Sequence, residues 1–129
     1  MLKVKLSLIV LVLITAISSC DKMTGDDDSI VGGWNCREET SNNDYHQYSI
    51  FIDRAGNGYD TTYYVIYNFN NLGQEVETYV QLANSKLTIR FMSEGYSVSG
   101  NGYVSKDLKT IDWTYMVSGE PYSALYSRH

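Results

Sequence analysis

The chain reads as an all-β domain, a small eight-stranded antiparallel up-and-down barrel, with a β-sandwich as the alternative architecture. Three observations predict this. From Ile30 onward apolar and polar residues alternate with period two, the signature of a half-buried strand. The alternating runs are separated by short stretches rich in Asn, Asp, Gly and Ser, which tolerate tight-turn geometry. The composition adds 12 tyrosines against one proline, and tyrosine favours strands. A barrel is preferred because closure removes the exposed edges an open sheet would present.

The strands follow in order. Trp34 to Glu39 opens the domain, with Cys36 on the Trp34 face. Gln47 to Asp53 places Tyr48, Ile50 and Ile52 together, and Asp60 to Asn68 places Tyr63, Val65 and Tyr67 together. Val76 to Leu82 contributes Val76, Val80 and Leu82; Lys86 to Phe91 contributes Leu87, Ile89 and Phe91. Tyr96 to Val104 is kept as one strand although Asn101-Gly102 is a hairpin signal. A turn there would leave too short a partner strand, so Gly100 and Gly102 mark a bulge or a bend. Thr110 to Val117 lines up Ile111, Trp113, Tyr115 and Val117, and Tyr122 to Arg128 lines up Tyr122, Ala124 and Tyr126.

Ahead of the domain, Lys3 and Lys5 precede an apolar run from Leu6 to about Ile17. This has the charge and length of an export signal and falls short of the roughly 20 residues a membrane-spanning helix needs. Ile17-Ser18-Ser19-Cys20 closes it with small residues and a thiol, and so resembles the bacterial lipoprotein signal. The resemblance implies cleavage after residue 19, acylation of Cys20 and attachment to the outer membrane of a Gram-negative bacterium, periplasmic or surface-exposed. Each buried methylene contributes about 0.8 kcal/mol, so two or three acyl chains would hold the protein stably. Residues 20 to 29, with Asp26-Asp27-Asp28, read as a lipidated Cys and a flexible acidic tether, and residues 30 to 129 as the barrel.

Loss of residues 1 to 19 leaves 110 residues, enough for one domain. Lys3 and Lys5 leave with the signal, so 8 basic residues face 15 acidic ones, a net charge of −7. That balance opposes nucleic-acid binding, and it leaves membrane attachment to the lipid. With Cys20 acylated, Cys36 has no disulfide partner and reads as a small buried hydrophobe.

Gly32-Gly33-Trp34 matches the G-x-W signature of the lipocalin and avidin-like barrels, and residues 30 to 129 resemble the small lipocalin-like domains of bacterial lipoproteins. The resemblance implies that Trp34 closes one barrel end and that Arg128 stacks across it. The strands and loops are shorter than in full lipocalins, which leaves little room for a lid or a large cavity. An eight-stranded barrel is just wide enough to be filled by its own side chains or to hold one small ligand.

The expected function is therefore that of a non-enzymatic, membrane-anchored binding module. Two histidines, His46 and His129, do not assemble a catalytic set, and no metal or cofactor pattern is present. Asp53 to Gly58 lacks the ligands of a calcium loop and reads as a turn. A small apolar ligand inside the barrel would meet Tyr48, Tyr63, Tyr67, Trp113 and Tyr115. A protein or glycan partner would instead meet outward residues such as Tyr59, Tyr64, Tyr79 and Tyr103.

Overall fold

The computed structural model describes residues 29–129. Expectations for the signal, Cys20 and most of the tether lie outside these residues. Eight strands run β1 Gly32–Thr40, β2 Tyr45–Arg54, β3 Tyr63–Tyr67, β4 Glu77–Ala83, β5 Lys86–Met92, β6 Val98–Val104, β7 Thr110–Val117 and β8 Glu120–Arg128. Each pairs antiparallel with the next, and β8 returns to β1 through Trp34↔Arg128 to Thr40↔Tyr122. The result is a closed up-and-down barrel. No helix among the described residues is long and apolar enough to cross a membrane. All eight strands and the closing ladder lie within residues 29–129, so this segment carries its own core and folds as a unit.

Alternation sets the interior as read for most strands. Trp34 and Cys36 on β1, Ile50 and Ile52 on β2, and Ile111, Trp113, Tyr115 and Val117 on β7 all point inward and are buried. Two assignments are corrected. On β3 the inward residues are Tyr64 and Ile66, so Tyr63 and Tyr67 face outward. All five residues of that strand are apolar or aromatic, so alternation carries no information; the register Ile52↔Ile66↔Thr78 decides the face. On β5 the pairing moves from Val80↔Ile89 to Tyr79↔Phe91, leaving Arg90 as an extra residue. That bulge turns Phe91 outward and Met92 inward.

β6 is a single strand, and Asn101-Gly102 makes no hairpin. Its ladder with β7 is regular, so the glycines serve close approach rather than a bulge. A Cβ on Gly102 would meet the Trp113 ring at 2.6 Å, and one on Gly100 would meet Thr114 O and Tyr115 Cβ at 2.5 Å.

The two barrel ends differ. At the end where the chain enters, the Arg128 guanidinium lies 4.1 Å over the Trp34 ring. It donates to Leu108 O and Val31 O at 3.1 Å and to Ser29 O, while Trp34 Nε1 donates to Ile30 O at 3.0 Å. The contact is a cation–π seal tied to the backbone. The other end is closed by the β3–β4 connection.

Candidate functional site

The candidate site is the end of the barrel opposite Trp34. It is built on Glu38, which the alternation of β1 carries inward two residues beyond Cys36. Glu38 is 1% exposed. A buried carboxylate is costly unless its oxygens are satisfied, and here Oε2 accepts from three donors: Tyr48 Oη at 2.9 Å, Asn70 Nδ2 at 2.7 Å, and Tyr115 Oη. Oε1 faces the rim, where Nδ1 of the exposed His46 stands 3.9 Å away, beyond hydrogen-bond distance.

Asn70 comes from a single 3-10 turn, Phe69–Asn71, in the β3–β4 connection. Asn68, Asn70 and Asn71 all have positive φ, between 57° and 69°, a region that Asn tolerates better than most residues. Asn68 locks the turn by donating to Ser49 O at 2.8 Å and accepting from Gly73 N at 2.9 Å. The turn drives Phe69 into the barrel mouth, where it is fully buried. Its ring lies 4.5 Å from Tyr115 and stands edge-on to Trp113 at 5.8 Å. The expectation that the loops lack room for a lid is corrected: four residues, Asn68 to Asn71, suffice to plug a barrel this narrow.

Beneath the plug, Trp113 packs on Tyr126 at 5.6 Å. Three polar atoms in the interior have no hydrogen-bond partner: Trp113 Nε1, Tyr126 Oη and Thr78 Oγ1. Orphaned donors of this kind are rare in folded proteins, and each calls for a water, an ion or a ligand.

Titration reflects the same enclosure. Burial pushes the Cys36 thiol up to about 12, a hydrogen bond with Tyr48 offsetting part of this and Glu38 adding to it. Burial also raises Tyr48, Tyr115 and Tyr126, with Glu38 contributing to Tyr115. Enclosure thus keeps Cys36 in its protonated, weakly nucleophilic form at neutral pH. Among the described residues no group of three or more His, Cys, Asp and Glu side chains could hold a metal.

Of the residues expected to meet an interior ligand, Tyr48, Trp113 and Tyr115 converge here, and Tyr63 and Tyr67 do not. Sequence reasoning missed Glu38, Phe69 and Asn70. Glu38 was legible, since it follows Trp34 and Cys36 at spacing two; a charge on an inward position was the signal. Phe69 and Asn70 belong to a connection, where alternation says nothing.

The outer face carries a separate feature. Tyr79 stacks on Phe91 at 4.6 Å and on Tyr59 at 5.0 Å, and Tyr63 lies 5.5 Å from Tyr59. Tyr103 is also exposed, whereas Tyr64, expected outside, is inside.

No protein-family model matches the sequence, and no curated protein matches it significantly. Solved structures do resemble it in fold. A redesigned β-barrel superposes with a TM-score of 0.56 at 8% identity, covering 78% of this chain and 91% of its own. A de novo designed fluorescence-activating β-barrel gives 0.52 at 16% identity, covering 77% and 93%. These likenesses concern the fold alone.

Proposed function

We propose that the protein is an exported, lipid-anchored binding module of the lipocalin-like kind, whose barrel interior takes a small ligand through the Glu38 end. One observation carries the reading: three interior polar atoms, Trp113 Nε1, Tyr126 Oη and Thr78 Oγ1, are without partners in the same enclosure that holds Glu38. Each of these atoms offers a hydrogen bond that a polar group on a ligand would take up. The described chain begins at the Trp34 end, where Ser29 and Val31 bind Arg128. A tether from Cys20 would therefore hold that end towards the membrane and turn the Glu38 end away from it. On the anchor itself, Cys20→Ala is expected to release the protein from the membrane fraction; retention would remove this part of the reading.

The interior site is tested by following the two tryptophan indole N–H resonances of residues 21–129 during titration with acetophenone, which offers one ring and one carbonyl acceptor. The Trp113 signal is expected to move and the Trp34 signal, whose N–H is already bonded to Ile30 O, to stay. A stationary Trp113 at saturating probe refutes the site. A second reading, recognition of a protein or glycan on the outer face, is favoured by the stacked Tyr59, Tyr79 and Phe91 rings.

A further inference from the structure

We infer that the Phe69–Asn70 turn is a built-in occupant of the barrel mouth, and that the ligand displacing it carries an aromatic ring and, a short reach away, a nitrogen donor or ammonium group. The inference rests on the interior-site reading above. It starts from what the turn does there. Phe69 is a connection residue, yet its ring fills the slot between Tyr115 and Trp113 and is fully buried. The next residue sends a carboxamide N–H to Glu38 Oε2 at 2.7 Å. The other two donors on that oxygen, Tyr48 and Tyr115, come from strands and are fixed by the barrel wall. Asn70 alone comes from a connection between strands rather than from the barrel wall.

Ring slot and carboxylate therefore form one recognition unit, occupied from within. A ligand that replaces the turn recovers both contacts. It gains a further acceptor in Glu38 Oε1, whose neighbour His46 stands at 3.9 Å, and it comes within range of unpartnered groups that the turn leaves unused. Glu38 also sets the charge preference: a ligand bearing a carboxylate would meet a like charge in an enclosed site. Because the plug must leave first, the apparent affinity of the intact protein is lowered by the small fraction of open barrel.

The test compares 2-phenylethylamine, phenylacetate and acetophenone on residues 21–129, with the Trp113 indole resonance as readout. Phe69→Ala is expected to bind 2-phenylethylamine at least about tenfold tighter than the wild type, and at least about tenfold tighter than it binds phenylacetate. Adding Glu38→Gln is expected to erase the preference for the amine while acetophenone still binds. Equal affinity for amine and carboxylate, or no gain on removing Phe69, overturns the inference. Should Phe69→Ala fail to fold, Asn70→Gly keeps the positive φ and deletes only the clamp. It is expected to tighten amine binding too, and no gain there overturns the inference equally. The two readings fail differently. If acetophenone moves Trp113 in none of these proteins, the interior site itself is lost; if it moves Trp113 but the plug and Glu38 make no difference, only this inference is.

Discussion

Gly102 has no side chain because Trp113 occupies the space one would need. A methyl group there would sit 2.6 to 2.8 Å from three atoms of the indole, which is itself fully buried and hemmed in by Phe69, Tyr115 and Tyr126. Neither partner can retreat, so Gly102→Ala is expected to cost about 2–3 kcal/mol, read as a lowered denaturation midpoint with an unchanged slope. Glu38 shows the converse economy. Its burial is tolerated because three donors, Tyr48, Asn70 and Tyr115, converge on one oxygen. Both residues could be read from the sequence as anomalies, a glycine pair inside a strand and a charge on an inward position. Their reasons could not, because each reason lies on a distant strand or loop.

At the level of elements, legibility followed the contrast between faces. β7 reads without ambiguity because Ile111, Trp113, Tyr115 and Val117 alternate with Asp112, Thr114 and Met116, and its limits are as expected. β3 reads wrongly because Tyr-Tyr-Val-Ile-Tyr offers no polar side, and only its neighbours' register fixes which face is inward. β5 reads correctly as far as Ile89 and then reverses, since a one-residue bulge leaves no trace in composition. The plug escapes for a different reason. A buried aromatic in a turn obeys neither period, and Phe69 is distinguished only by the asparagines around it, which supply left-handed backbone at low cost.

At the scale of the whole molecule, enclosure links stability to pH. Cys36, Tyr48, Tyr115 and Tyr126 all hold their protons more tightly when folded than an exposed thiol or phenol would, because burial disfavours their charged forms. The folded state therefore binds more protons than the unfolded chain once the pH passes the ordinary values of 9.0 for the thiol and 10.0 for the phenols. Their contribution is fully present below that range and is lost as the pH rises through it. The midpoint of thermal unfolding is expected to be flat from pH 7 to about 9 and to fall steeply beyond about 10. Cys36→Ala should remove the earliest part of the fall, and an unchanged midpoint up to pH 12 would contradict the enclosed interior.

The central claim is that the barrel's unpaired interior groups belong to a ligand. Native mass spectrometry of the full-length protein, purified gently from the cells that express it, tests it most directly. The account predicts a population carrying one non-covalent small molecule with a ring and a basic nitrogen, lost when Glu38→Gln is introduced. A uniformly unliganded mass for the wild type and for Phe69→Ala alike would contradict it, and would leave a barrel closed on itself at both ends.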